Sequence, residues 1–341
     1  MMSEDLLTSS YDYDLPQNLI ATKPIYPRDS AKLLVYNRAT DCITHTTFSH
    51  LLEFLPPKCD VFINDTKVIK ARIYGTKASG GKVELLLNKP LSSYEYLVLI
   101  RGKVKQNTTL YFDKDLTAKV IKLNEDGSRV VEFYHQSQPI EFEKLVLLLE
   151  EIGHIPLPPY MQRDDNSQDS IDYQTLFASK AGAVAAPTAS LHFTPELLEE
   201  LKSKHQTHTL TLHVGAGTFK PVEASHILNH PMHSEYFEIP KSAAKVLDSN
   251  QDILAIGTTV TRTIEYYART HKLNGECDLF LHPNNPPKRV NHLLTNFHLP
   301  KSTLIMLVSS FIGREKTLAL YEEAIQHQYR FYSYGDAMLI I

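Results

Sequence analysis

Between residues 68 and 135 the chain is cut into short apolar segments by closely spaced turn signals. VIKARIYG, GKVELLL, YEYLVLI, TLYF, AKVIKL and RVVEFY are strand candidates. Gly80-Gly81, Leu91-Ser92-Ser93, Gln106-Asn107 and Glu125-Asp126-Gly127 separate them. Many strands in quick succession restrict this stretch to a small antiparallel barrel or sandwich.

The flanking sequence reads differently. Lys32–Tyr36 and VFIN at 61–64 look like strands, and His45–Leu55 like a short helix stopped by Pro56-Pro57. Residues 143–153 look helical, and the proline- and acid-rich HIPLPPYMQRDDNSQDSIDYQT after them reads as a long loop. Beyond 175, strand-like and helix-like segments alternate. Pro195–Lys204 is a helix with Thr194 as N-cap and Pro195 at its first position. His208–Val214 and Asp252–Gly257 are strands; Ser242–Asn250, Val260–Arg269, Leu304–Ile312 and Leu318–Gln328 are helices. Such alternation fits a sheet with crossover helices. The expected fold is α+β or α/β: a large α/β domain (residues 1–66 with 150–341) interrupted by a small antiparallel β-barrel domain (residues 67–149).

A length of 341 residues suits two domains. The longest apolar run, Leu304 to Ile312, is too short for a bilayer span, which takes roughly 20 residues. No membrane association is expected. The acidic start lacks a secretion signal, and three scattered cysteines fit a reducing cytoplasm. Charge is unevenly spread. Between Lys58 and Lys105, ten basic residues face four acidic ones, in a chain of net charge −4. A basic face on an acidic protein would suit a nucleic acid backbone, and a solvated lysine-rich strand surface fits equally well.

Polar residues gather where strands end. AAPTASLHFT carries Pro187, Thr188, Ser190 and His192 into a helix start, where backbone N–H groups would face an anion. His192 could shuttle a proton. LHVGAGTF ends a strand in Gly215, Gly217 and Thr218, whose glycines allow close approach of a ligand; it is not a dinucleotide fingerprint. His226, His230 and His233 are poorly arranged for metal, with Pro231 among them and no cysteine near. His233 and Glu235 form a polar pair ahead of a strand. Arg262 follows a Gly-Thr-Thr turn as a candidate carboxylate or phosphate clamp. TNFHLPKST brings Asn296, His298 and Lys301 before an apolar helix without the glycines of a Walker loop.

In this order, INDTKVIKARIYG, HIPLPPYMQR, GAVAAPTASLHFT, LHVGAGTFKPV, HSEYFEIP, GTTVTRTIE, LLTNFHLPKST and YSYGDAMLI resemble the S-adenosylmethionine:tRNA ribosyltransferase-isomerases of queuosine biosynthesis. The resemblance runs from about Tyr13 to the C-terminus. Ser190 stands where the family carries glycine, Asn284-Asn285 where it carries glycine and an aromatic, and Asn291 where it carries aspartate.

The resemblance implies transfer and isomerisation of the ribosyl group of S-adenosylmethionine. The acceptor is 7-aminomethyl-7-deazaguanine at the wobble position of a tRNA with a GUN-type anticodon. The products are epoxyqueuosine-tRNA, adenine and methionine. S-adenosylmethionine is consumed as a substrate, and neither a metal nor another cofactor is expected. A monomeric, cytoplasmic enzyme is the expectation. His192 or His213 would be the base, the second histidine or Glu235 would serve the departing adenine, and His233 is a further catalytic candidate. Arg262 or Lys301 would hold the methionine carboxylate. Pro187, Thr188, Gly215, Gly217, Thr218, Asn296 and His298 would line the substrate site. Phe193, Tyr173 or Phe219 would stack on the extruded base, and Arg72, Lys82 and Arg101 would meet tRNA phosphates. A methyltransferase and a non-catalytic RNA-binding protein are the rival readings; the N-terminal part lacks the glycine-rich loop a methyltransferase needs.

Overall fold

The structure is a computed structural model that describes residues 4–219 and 222–341; the side chains of Thr218 and Phe219 lie outside the description. The VFIN segment forms the strand Asp60–Asn64, buried along its whole length. A strand covered on both faces belongs inside a sheet. It lies between Thr207–Leu212 and Ile253–Ile256, parallel to both. The sheet has nine strands in the order Asn274–Cys277, Glu235–Glu238, Thr207–Leu212, Asp60–Asn64, Ile253–Ile256, His292–Asn296, Ala337–Ile340, Lys32–Asn37 and Cys42–Thr47. From Thr207–Leu212 to His292–Asn296 the strands run parallel, so four carboxyl ends share one edge.

The reading of His45–Leu55 as a helix needs correction. Cys42–Thr47 is the outermost strand, antiparallel to Lys32–Asn37, and the helix shrinks to Leu51–Phe54. CITHTT is rich in β-branched residues, whose preference for an extended backbone decides the outcome at an open edge. Asn274–Cys277, His292–Asn296 and Ala337–Ile340 are four or five residues long. Segments that short carry too little period to be recognised by pattern.

Arg72–Lys77, Lys82–Pro90, Glu95–Arg101, Thr109–Tyr111, Leu116–Leu123 and Arg129–His135 form an antiparallel barrel. It closes where Arg129–His135 pairs with Leu116–Leu123. Alternate residues such as Val83, Leu85 and Leu87 fill it, and Leu145 and Leu149 of the helix Phe142–Ile152 join the same core. The chain leaves the sheet through Thr66–Val68 and returns through Lys180–Ala183. These two segments pair in parallel, so exit and re-entry are laced together.

Helix starts around the sheet follow local chemistry. Thr194 Oγ1 accepts from Leu197 N–H at 3.3 Å, and Ser302 Oγ accepts from Ile305 N–H at 3.3 Å. Gly257, at φ 98°, makes the turn from Ile253–Ile256 into the helix Thr258–Thr270, a conformation that favours glycine. Among the described residues no helix is long and apolar enough to cross a membrane.

Glu265 anchors the next connection. Fully buried on the helix Thr258–Thr270, it accepts from the backbone N–H groups of Lys288, Arg289 and Val290 at 2.7–2.8 Å and pairs with Arg269. A carboxylate with this many donors fixes the segment that feeds His292–Asn296. Glu265→Ala is expected to lower the unfolding free energy by about 3–5 kcal/mol, the usual cost of leaving a buried partner uncompensated. Urea unfolding monitored by circular dichroism measures it, and an unchanged midpoint contradicts the assignment.

Candidate active site

The shared carboxyl edge of the parallel strands opens onto a cavity of about 270 Å³. In α/β sheets ligands bind at this edge. Its walls are Ala185–Ala189 after the returning strand, Gly257–Thr259 after Ile253–Ile256, and Thr295–Leu299 at the end of His292–Asn296. Tyr160 and Tyr332 close one side, with ring centroids 4.1 Å apart. The helices Thr258–Thr270 and Thr303–Ile312 both begin at this cavity, so two sets of unpaired N–H groups and two positive dipole ends meet there.

A second, larger cleft of about 610 Å³ lies between barrel and sheet. The barrel supplies Asn88, Lys89 and Asp126; the sheet side supplies His213, Gly215, His233, Glu235 and Glu276. A narrow passage shares Thr258, Thr259 and Leu304 with the cavity, and Gly217, His233 and Glu235 with the cleft. The three spaces form one trough, with the LHVGAGTF turn at its centre.

That turn is held from below. Glu235 Oε1 accepts from Gly215 N–H at 2.8 Å, and its Oε2 pairs with Arg262 at 2.5 Å. Arg262 also donates to the carbonyls of Leu279 and Cys277. It is buried, and the Glu235 charge beside it offsets that burial and holds its pKa above the usual value. Asn88 Oδ1, from the barrel, accepts from Ala216 N–H at 3.0 Å. Barrel and sheet therefore grip the same turn. Lys89 bridges them again, reaching Glu276 at 2.7 Å and Ser234 Oγ at 3.1 Å.

Pro187, Thr188, Asn296 and His298 line the cavity, while His213, Gly215, Gly217, His233 and Glu235 line the cleft. Arg262 borders the passage with its guanidinium already committed. Other residues picked from sequence lie elsewhere. His192 turns away from the cavity into the packing around Phe48 (centroids 4.9 Å apart), with Nε2 3.5 Å from Asn296 Nδ2. Burial, with Arg330 and Arg28 nearby, pushes its pKa down to about 3, so it is neutral at neutral pH. Phe193 is packed edge-on against Phe48 and Phe177 in the core, and Tyr173 is fully buried; neither lines the trough. Lys301 pairs with Asp12 at 2.6 Å, outside the trough. Arg72 is engaged by Glu84 at 3.3 Å and by Leu157 O at 3.1 Å. Lys82 and Arg101 are exposed on the barrel, Arg101 beside Glu84 at 3.2 Å. Thr218 and Phe219 continue the turn as backbone.

His226 caps a turn by accepting from Leu228 N–H. Among the described residues, one His/Glu group has metal-like spacing: His45, Glu323 and His327, at the sheet's outer edge.

Sequence reading missed Asn64, Thr66, Asn88, Tyr160 and Tyr332. Polar residues directly after the apolar Val61–Ile63 run were the available signal for Asn64 and Thr66. Tyr160 and Tyr332 gave none, since they meet across 172 positions of chain only in the fold. Two of the departures from the family pattern are satisfied locally. Asn291 Oδ1 accepts from Ile253 N–H at 2.9 Å, and Asn285 Nδ2 donates to Phe280 O at 2.8 Å. Ser190 is buried with its Oγ unpaired.

The chain is similar to known proteins along its whole length. Residues 8–340 match the family described as queuosine biosynthesis protein. The S-adenosylmethionine:tRNA ribosyltransferase-isomerase of Aliarcobacter butzleri is 65% identical over 340 residues, covering 100% of both chains. Those of a Nitratiruptor species and of Campylobacter jejuni are 61% and 60% identical, again over both full lengths. A crystal structure of S-adenosylmethionine tRNA ribosyltransferase from Thermotoga maritima is 36% identical, with a TM-score of 0.55, covering 98% of this chain and 100% of that one.

His298 lines the cavity with Nε2 2.8 Å from Thr295 Oγ1, and burial pushes its pKa down to about 3. In the unfolded chain it binds a proton near pH 6.5; folded, it does not until far lower. Its contribution is complete above pH 6.5 and is lost as pH falls, by about 1.4 kcal/mol per pH unit. Between pH 7 and pH 5, His298→Gln should therefore lose about 2 kcal/mol less stability than the wild type in urea unfolding. Equal losses would contradict the buried, neutral state.

Proposed function

The chain belongs to the queuosine biosynthesis protein family, and from that premise we propose that it is an S-adenosylmethionine:tRNA ribosyltransferase-isomerase. It moves the ribosyl group of S-adenosylmethionine onto 7-aminomethyl-7-deazaguanine at the wobble position of a tRNA with a GUN-type anticodon. The observation that carries this reading is the trough. A reaction between a small sulfonium donor and a nucleotide embedded in RNA needs two adjoining spaces, and a smaller cavity and a larger cleft occur here within one loop's reach.

The donor fits the cavity. Its methionine carboxylate suits the two helix N-termini, a better place than Arg262, whose guanidinium is committed, or Lys301, which lies outside. The sulfonium acidifies the ribose 5′ carbon, so loss of a proton there yields an ylide that expels adenine as the ring opens. The acceptor amine adds to the vinyl sulfonium, and closure to an epoxide releases methionine. Adenine, methionine and epoxyqueuosine-tRNA are the products. The trough must supply proton carriers and shield the intermediates. His213 and His233 border it; His192 supports Asn296 from behind. Glu235 is held by Gly215 and Arg262, which leaves the adenine proton to His233. The sequence of steps requires neither a metal nor a redox group, and a single chain in the cytoplasm would carry it out.

The acceptor enters from the barrel side. Lys82 and Arg101 stand on neighbouring strands of that barrel and are exposed for phosphate contacts; Arg72, tied to Glu84 and Leu157, is a structural member of the same face. The base must leave its stack to reach the cleft.

Incubation with S-adenosylmethionine and tRNA carrying the deazaguanine precursor should release adenine and methionine in equal amounts. S-adenosylhomocysteine in their place would establish a methyltransferase, and tRNA binding without adenine release a non-catalytic binder. Lys82→Ala and Arg101→Ala should each weaken tRNA binding and lower the slope of log affinity against log salt by about 1. Unchanged slopes would move the tRNA to another face.

A further inference from the structure

His213 is seated more firmly than a residue at the end of a strand requires. Its backbone N–H donates to Tyr236 O at 2.9 Å, and its ring stacks with the Tyr236 ring at 5.9 Å and 21°. Thr66 Oγ1 lies 2.7 Å from Nδ1. Gly182 lies over the imidazole: a Cβ there would stand 2.7 Å from both Cε1 and Nε2, closer than real side chains approach. Among the described residues the ring's hydrogen bond is the one at Nδ1, and His213 borders the cleft. The backbone, one ring face and one nitrogen are all fixed, and the second nitrogen is left for something else.

We infer that Thr66 and Gly182 are positioning residues that hold His213 with its Nε2 toward the cleft, where it takes the proton of the acceptor amine. The inference rests on the ribosyl-transfer reading. An amine attacking carbon must lose a proton. As its electron pair forms the N–C bond, one N–H bond breaks and the proton passes to Nε2. The Nδ1–H, present before and after this transfer, donates to Thr66 Oγ1 throughout. A neutral ring with Nε2 bare must carry its proton on Nδ1, so an acceptor at Nδ1 selects the tautomer in which Nε2 is the base. Thr66 is fully buried, so this hydroxyl is shielded from exchange with solvent partners.

The surroundings keep the ring neutral at rest. Burial pushes the His213 pKa below the ordinary 6.5, and Lys180 pushes the same way; Asp65 and Glu238 oppose them. Lys180 is itself paired with Glu238 at 3.0 Å, Tyr236 stacks on the ring, and Lys89, Asp126, His233, Glu235 and Glu276 line the same cleft. A base that must be neutral works above its pKa and fails below it. The acid limb of the rate should therefore fall below pH 6.5.

The test is the rate of modified-tRNA formation from pH 5 to 9, with saturating S-adenosylmethionine and precursor tRNA, for wild type, Thr66→Val, Thr66→Ser and Gly182→Ala. Thr66→Val should lower kcat at least about tenfold and move the acid limb, with KM for both substrates changed less than about twofold. Thr66→Ser, which keeps the hydroxyl, should recover to within about threefold of wild type. Gly182→Ala, which pushes the ring aside, should act like Thr66→Val. A Thr66→Val enzyme with wild-type kcat and pH profile overturns the inference, as does a Thr66→Ser enzyme as impaired as Thr66→Val. If wild type releases no adenine at all, the ribosyl-transfer reading falls first. If wild type turns over and Thr66→Val matches it, the positioning role alone falls.

Discussion

The side chain of Asn64 holds together the point on which the rest depends. It is fully buried at the end of the central strand, where the chain departs for the barrel. Its Oδ1 accepts from the N–H groups of Thr66 and Leu212, and its Nδ2 donates to Leu212 O and Thr259 Oγ1. One amide thus ties together the exit to the barrel, the strand that leads into the LHVGAGTF turn, and the first turn of the helix Thr258–Thr270. A buried amide satisfied on both sides specifies one geometry, because any shift leaves a polar group unpaired. Asp65 extends the tie, accepting from Thr211 Oγ1 at 2.6 Å and, through its carbonyl, from the N–H groups of Ser179 and Lys180.

From that junction the site follows with little further freedom. The parallel strands bring Val214, Gly257 and Asn296 to one edge, and the barrel, tethered through Asn88 and Lys89, forms the far wall of the cleft. The fold sets a smaller space ringed by strand ends beside a larger one between barrel and sheet. The glycine turn between them lets backbone approach an occupant of either.

Much of this architecture is legible in the amino-acid order. The barrel shows because its short strand candidates are separated by closely spaced turn signals, and the central strand because an apolar Val61–Ile63 run leads into Asn64. The cavity walls show because Pro187-Thr188, Gly257 and Asn296 end strands in turn-forming residues. Side-chain direction does not show. His192 and Thr188 share one short turn, yet only Thr188 faces the cavity, since the turn sends the imidazole into the core. Lys301 sits beside the cavity-lining Ser302 in sequence, but its backbone is left-handed and its amine is taken by Asp12. The partnership of Thr66 with His213 joins residues 147 positions apart and has no local pattern.

Hydrogen exchange on the whole chain tests most directly whether cavity and cleft serve two different substrates. With S-adenosylmethionine alone, protection should rise at Ala185–Ala189, Gly257–Thr259 and Thr295–Leu299. With an anticodon stem-loop carrying the precursor base, protection should appear instead on the barrel strands Lys82–Pro90 and Glu95–Arg101 and at Gly215–Gly217. Protection by S-adenosylmethionine confined to the barrel, or by the stem-loop confined to the outer strands Lys32–Asn37 and Cys42–Thr47, would contradict the account.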